Sequence, residues 1–290
     1  MIRRPPRSTL DRSSAASDVY KRQVYQQDTT IYRPQFKNCV IASNSMSVNT
    51  SQSHSWTFYG GAVYVKHGAI PYFENTRIDS NSIDTGENLY TYSSGNAYGG
   101  GVYLNHMWEN GPPIQFVNCS ISNNEVKGRT VYGGGIYSNY DQVQLINCVI
   151  VNNEANSAYT TSYYNYGTTR GAGVYQSSGT STEHPGYSSK DKLMQIVNCT
   201  IADNILNPNP GSGNSSNNYG AGIYRVSQNS HFLMFNSIVY GNSYTGATDF
   251  SSLNMSHGSG TWGTTNSNIC LLYTSPSPRD ATLSRMPSSA

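Results

Sequence analysis

A seven-residue phrase occurs six times along this chain, and it leaves few folds open. Asn38-Cys39-Val40-Ile41-Ala42-Ser43-Asn44 returns at residues 75–81, 118–124, 147–153, 198–204 and 236–242, with Asn at both ends and Ile or Val three residues after the first Asn. Between copies lies a second phrase of three small residues, a β-branched residue and a tyrosine. It reads Gly60-Gly61-Ala62-Val63-Tyr64, then Gly99–Tyr103, Gly133–Tyr137, Gly171–Tyr175 and Gly220–Tyr224. Two phrases alternating at a recurring spacing signify stacked copies of one supersecondary unit.

The phrase also shows where the chain turns. Ahead of the first Asn stand Ile114-Gln115-Phe116-Val117, Val143-Gln144-Leu145-Ile146 and Met194-Gln195-Ile196-Val197, in which Gln takes one alternate position and a large apolar residue the other. That is the period of a strand. Lys37 beside Asn38 points to water, so Phe36 points inward. Cys39 and Ile41 must also face inward, and the odd step from Phe36 to Cys39 reverses the parity. A strand whose parity reverses at one Asn turns a corner there, and Asn tolerates the left-handed conformation such a corner uses.

Each repeat is therefore expected to hold three strands: one before the Asn, one from the Cys onward, one at the Gly phrase. Stacked in register they form an all-β fold, a parallel β-helix of about six coils, roughly 30 Å long at about 4.8 Å per coil. Its expected inner columns are Cys39, Cys119, Cys148 and Cys199; Ile41, Ile78, Ile121, Ile150, Ile201 and Val239; and stacked corner amides from Asn38, Asn75, Asn118, Asn147, Asn198 and Asn236. A propeller blade would need more strand per repeat than the patterned residues supply. Charged residues are only 12% of the chain and Gly numbers 27, which suits repeated tight turns.

Residues 1–23 and 270–290 carry neither phrase, are rich in Arg, Ser and Pro, and resemble translated sequencing-adapter read-through. They are set apart from the β-helix domain at 24–269 as non-native or disordered tails. They hold eight of the 18 Lys+Arg and three of the 16 Asp+Glu, so the middle carries 10 basic and 13 acidic side chains, a net charge of −3. The basic character belongs to the tails and gives no nucleic-acid signal. No run of about 18 apolar residues is present.

The Ile/Val-x-x-Asn and Gly-Gly-(Ala/Gly)-(Ile/Val)-Tyr phrases resemble the right-handed parallel β-helix repeats of bacterial surface proteins, among them the polymorphic outer-membrane protein repeats and the choice-of-anchor families. Phe235-Asn236-Ser237-Ile238-Val239-Tyr240-Gly241-Asn242, with Asp249 and Ser267-Asn268-Ile269, is similar to the closing coils of the latter. The polymorphic outer-membrane repeats usually carry Phe where this chain has Ile or Val. The resemblance spans roughly residues 31–269 and implies a right-handed coil, secretion or surface display, and an anchor lying outside this sequence. It implies no reaction.

Function is sought where the repeats vary. From closing Asn to Gly phrase the separations are 16, 18, 9, 18 and 16 residues. Variable insertions on a constant solenoid commonly carry binding. The short third connection predicts a notch between two longer loops, with Tyr90, Tyr92 and Tyr98 on one side and Tyr159, Tyr163, Tyr164 and Tyr166 on the other. Glu125, Lys127 and Arg129 would line its floor. Tyrosines beside Asn and Ser suit sugar rings; the plainer reading is that they pack on one another. The phrase tyrosines Tyr64, Tyr103, Tyr137, Tyr175 and Tyr224 are expected to face outward beside a bare Gly strip, as a glycan platform or as a structural stack under loops.

β-helices that cleave acidic polysaccharides need carboxylates aligned on adjacent coils, and the acidic residues here are read as not aligned. His67 and His106, with Glu109 and Asp141 nearby and Tyr140 in their column, are the best metal coincidence, and solvated turn histidines the plainer reading. Thr76 separates Cys39 from Cys119, whereas Cys119, Cys148 and Cys199 stack with parallel side chains unsuited to disulfide torsions. They are expected to be free buried thiols acting as small hydrophobes. The sequence thus predicts a monomeric, adhesin-like module without cofactor or catalytic residue, whose partner is a polysaccharide or a cell surface. A divergent polysaccharide-processing enzyme and a structural spacer are the alternatives.

Overall fold

The computed structural model describes residues 33–48, 56–66, 69–86, 95–105, 112–139, 142–157, 168–177, 193–208, 219–226, 231–244, 255–257 and 269–270. The strands join five sheets, and all pairing within them is parallel. Sheet one takes the residues before the opening Asn: Gln35–Lys37, Tyr72–Glu74, Ile114–Val117, Val143–Ile146, Leu193–Val197 and His231–Phe235. Sheet two follows that Asn, from Val40–Ala42 to Ser237–Tyr240, and ends on Ile269–Cys270, a strand straddling the boundary placed at 269. Sheet three follows the closing Asn: Ser45–Ser47, Ser82–Asp84, Glu125–Gly128, Glu154–Ser157, Ile205–Asn207 and Ser243–Tyr244. Sheet four precedes the Gly phrase with Trp56–Tyr59, Gly95–Tyr98, Thr130–Tyr132 and Thr168–Arg170. Sheet five runs through that phrase, from Val63–Lys66 to Met255–His257. Equivalent residues of successive repeats sit side by side, as in Ile41↔Ile78, Ile78↔Ile121, Ile121↔Ile150 and Ile150↔Ile201. The protein is a parallel β-helix.

The expectation of three strands per coil is corrected to five. The opening Asn is a left-handed corner as expected, with φ of 47–53° from Asn38 to Asn236. A second such corner lies immediately before the closing Asn, at Ser43, Ser80, Asn123, Asn152 and Asp203 (φ 55–59°). A third falls on the first Gly of the Gly phrase (φ 59–70°), where the absent Cβ removes the strain. Each corner reverses parity, so each coil needs more strands than one corner implies.

The inner amide stack expected of the opening Asn column is made by the closing Asn instead. The opening Asn stands exposed at its corner and makes a surface ladder, each amide donating to the preceding rung at 3.1–3.2 Å from Asn75 to Asn198. It is the closing Asn that is buried. Asn81, Asn124, Asn153 and Asn204 are wholly enclosed. Asn153 Nδ2 donates to Ile121 O (3.0 Å) and to Asn204 Oδ1 (2.9 Å); its own Oδ1 accepts from Asn124 N (3.1 Å) and Asn124 Nδ2 (2.9 Å). Both amide protons and both oxygen lone pairs are used, the only cheap way to bury such a group. The backbone N–H and the backbone carbonyl also fix which way the amide points. Against this ladder lies the third Gly of the phrase: a Cβ on Gly135 would meet Gly173 O at 2.6 Å and the Asn153 amide at 3.1 Å. The Gly strip expected at the surface is instead packed against the buried amides.

On one side of this polar seam lies the main core, with Phe73, Phe116, Leu145 and Ile196 from sheet one, the Ile column from sheet two, and Val102, Ile136, Val174 and Ile223 from sheet five. A smaller core joins Ile83, Val126, Ala155 and Leu206 to Ala97, Val131, Ala172 and Ala221. Each fully buried Ile contributes about 1.5–3 kcal/mol.

Cys119, Cys148 and Cys199 are free and buried, as expected, and stack on consecutive rungs; Cys39 is half-buried. The three buried thiols pack in the main apolar core as small side chains and hydrogen-bond as well. Cys148 Sγ donates toward Phe116 O and Ile146 O, both at 3.3 Å, while Cys148 N donates to Cys199 Sγ at 3.3 Å. The Thr76 and Ser237 rungs make the same bonds with hydroxyls, at 3.0–3.1 Å from Thr76 to Glu74 O and Phe36 O and at 3.0 Å from Cys199 N to Ser237 Oγ. The position selects a small donor-acceptor side chain that satisfies the backbone at the corner.

Candidate functional site: the aromatic face

The residue directly before each Gly phrase is Tyr59, Tyr98, Tyr132, Arg170 or Tyr219, and these align as one column on the outside of sheet four. Around the Gly corner the phrase tyrosines form a second column on sheet five. The inner column runs at centroid spacings of 5.3, 4.8, 4.8 and 5.5 Å from Tyr64 to Tyr224, tilted between Tyr64 and Tyr103 and stacked from Tyr103 onward. Outer rings pack diagonally on the inner ring of the next coil: Tyr59 on Tyr103 (4.6 Å), Tyr98 on Tyr137 (5.2 Å), Tyr132 on Tyr175 (4.6 Å). Arg170 keeps that diagonal, its guanidinium 5.1 Å from the Tyr224 ring and 5.7 Å from Tyr132.

The phrase tyrosines do point away from the main core, yet Tyr103, Tyr137, Tyr175 and Tyr224 are only 2–9% exposed. The structure therefore shows the stacked arrangement, not an open platform. Ring faces pack on other rings, and the outer column is half-buried. Burial pushes the Tyr98 and Tyr175 phenols far above their usual range, Tyr98 with help from Tyr132 and Tyr59, so they stay protonated donors.

Of the residues expected around the notch, Tyr98 belongs to this face. Tyr90, Tyr92, Tyr159, Tyr163, Tyr164 and Tyr166 lie outside the described residues. Glu125 and Lys127 point outward from sheet three and Arg129 follows at its end, all half-buried. Arg129 Nε is buried without a hydrogen-bond partner. Lys127 Nζ pairs with Asp84 Oδ2 at 3.4 Å.

The reading that carboxylates do not align is corrected by Glu125 and Glu154, which are register partners on adjacent coils. Asn156 Nδ2 joins them, 2.5 Å from Glu125 Oε1 and 3.2 Å from Glu154 Oε2. The signal was present in the sequence, since each follows a closing Asn directly. His67, His106, Glu109, Tyr140 and Asp141 lie outside the described residues. Among the described residues, three or more His, Cys, Asp or Glu nowhere gather as a metal would require, and no helix is long and apolar enough to cross a membrane.

The geometry defines a class: an all-β parallel β-helix with a stacked tyrosine face. Beyond the class, no family model matches the chain, and neither the curated proteins nor the solved structures contain a match.

Proposed function

We propose that this chain is a non-catalytic β-helix module of a secreted or surface-displayed, adhesin-like protein, contacting glycans or a neighbouring surface through the aromatic face and the insertions beside it. One observation carries the reading. Sheets one, two and three follow one another through one- or two-residue corners, whereas the chain between described strands lengthens only on entering sheet four and on leaving sheet five. Variation is confined to the borders of the tyrosine face, and loops on a rigid scaffold are where recognition concentrates. The resemblance to surface β-helix repeats, which this chain shares in its two phrases, supports the same reading.

Glu125 and Glu154 give the polysaccharide-processing alternative its specific observation, because paired carboxylates on adjacent coils are what glycosidic cleavage uses. A glycan array run beside lyase and hydrolase assays on polyuronates separates the two. Binding without turnover is the expected result. Double-bond formation or chain cleavage that disappears in Glu125→Gln and Glu154→Gln would establish the alternative, and binding to no glycan or cell surface would leave a spacer.

A further inference from the structure

The second inward column of sheet five changes chemistry partway along the rod. Its register runs Val65, Leu104, Ser138, Gln176 and Arg225. Each stands two residues after the Val or Ile of a Gly phrase, all five of which pack in the main core, so strand alternation turns it inward as well. The residues between them fix the direction. The phrase tyrosines pack together on the outer face, and Asn139, one residue beyond Ser138, donates to Asn105 at 3.3 Å in a half-buried outer column. Val65 and Leu104 belong to the main core, and Ser138, Gln176 and Arg225 are as deeply enclosed, at 0, 1 and 5% exposed.

Two of these polar side chains have bonding capacity that the protein does not use. Ser138 Oγ, Gln176 Nε2 and Gln176 Oε1 are buried and have no hydrogen-bond partner. The closing Asn column shows the opposite treatment of an enclosed amide, with every donor and acceptor taken by the next rung or the backbone. An amide and a hydroxyl left bare in an apolar core are costly, so their chemistry specifies what bonds them. Gln176 Nε2 needs an acceptor and Oε1 a donor, while the Ser138 hydroxyl both donates and accepts. A cation would serve only the oxygens, and an anion only the N–H and O–H groups. A molecule that donates and accepts serves all three.

Ser138 and Gln176 are register partners on strands about 4.8 Å apart, a gap that one oxygen spans with two hydrogen bonds of ordinary length. Ile136 and Val174, two residues earlier on the same strands, are wholly enclosed, which favours the smallest such molecule. We infer that the inner side of sheet five in the third and fourth coils is an internal hydration site, where ordered water bridges Ser138 to Gln176. The polar stretch continues to Arg225, whose guanidinium burial pushes below its usual pKa. The column is thus dry at Val65 and Leu104 and wet from Ser138 onward. Nothing in this inference depends on the glycan reading.

Two measurements on the full chain test it. A high-resolution crystal structure should place a solvent oxygen within about 3.2 Å of both Ser138 Oγ and a Gln176 amide atom. Urea unfolding should give a lower midpoint for Gln176→Leu and for Ser138→Ala. The double variant should lose less than the sum, because both single changes remove bonds to the same water. A midpoint for Gln176→Leu at or above wild type would overturn the inference, since deleting groups that nothing bonds relieves the core. Losses that add in full would overturn it too, as would density showing a protein atom, or no atom, between the two side chains. If a variant does not fold, the wild-type density decides alone.

Discussion

The seam between sheets two and three and the face of sheets four and five solve the same stacking problem with opposite chemistry. At the seam, one amide per coil is enclosed, and every donor and acceptor has a partner on its own or an adjacent rung. Any residue other than Asn leaves several backbone groups stranded. At the face, aromatic rings stack, and stacking tolerates exchange: an arginine takes one rung and the ring diagonal continues. Directional bonding makes the seam invariant; non-directional packing leaves the face free to carry substitutions and insertions.

The sharpest way to break this comparison is to remove one amide from each Asn column. Asn153→Ala strands Asn124 N, Ile121 O and the amides above and below, and should cost about 3–5 kcal/mol, given about 1–3 kcal/mol per buried unsatisfied group and partial relaxation. Asn147→Ala loses two exposed bonds and places Ala at φ 53°, for about 1–2 kcal/mol. Urea unfolding of the two variants reads the difference. Equal losses would mean that the closing Asn is no more structural than the corner one.

The second test falls on the face. Tyr59, Tyr98, Tyr175 and Tyr224 have phenols raised by burial, so the folded state resists their ionisation. Their folded pKa lies above the unfolded value of about 10, so this contribution to stability is complete below that pH and is lost as pH climbs past it. Phenolate absorbance should rise for only part of the tyrosines before a cooperative alkaline unfolding. Smooth ionisation of all of them while the fold persists would show that the rings are not packed as a wall.

How much of this was legible in the sequence depends on how each residue is constrained. Inward apolar positions and the opening corner follow from parity, because burial leaves no other choice. The second corner was less legible: it follows from parity only once Asn81 is known to face inward with Ile78, and the sequence did not show which of the two Asn columns is buried. Sheet four was not legible, since Trp56–Tyr59 and Thr168–Arg170 share almost no residue types, although a Tyr precedes four of the five Gly phrases. The alignment of Glu125 with Glu154 could be read by counting from the closing Asn. That the Gly strip packs on amides could not, because nothing local states what crosses the rod to meet it.

A smaller effect sharpens the seam side. If the column at Cys148 demands a donor, Cys148→Ser should stay within about 1 kcal/mol, because Thr76 and Ser237 already occupy it. Cys148→Val, similar in size but unable to donate, should cost about 2 kcal/mol by stranding Phe116 O and Ile146 O. Thermal unfolding of the pair decides it, and a Val variant as stable as wild type would show that the position needs apolar packing alone.

The smallest effect lies at acid pH and on the opposite side from the tyrosines. Burial pushes the Asp79 carboxyl up, but hydrogen bonds from Asn123 and Ser122, each 2.8 Å from Oδ1, and the nearby Arg77 hold it below its usual value. A carboxyl depressed in the folded state contributes stability that is full above about pH 4 and fades as pH falls through its folded value. Asp79→Asn should therefore flatten the acid limb of the stability curve and leave the alkaline limb unchanged, because the buried tyrosines that shape that limb sit on sheets four and five. A shift in the alkaline limb would mean that the two sides of the rod are energetically coupled, and that the separation drawn here between a rigid seam and a permissive face is wrong.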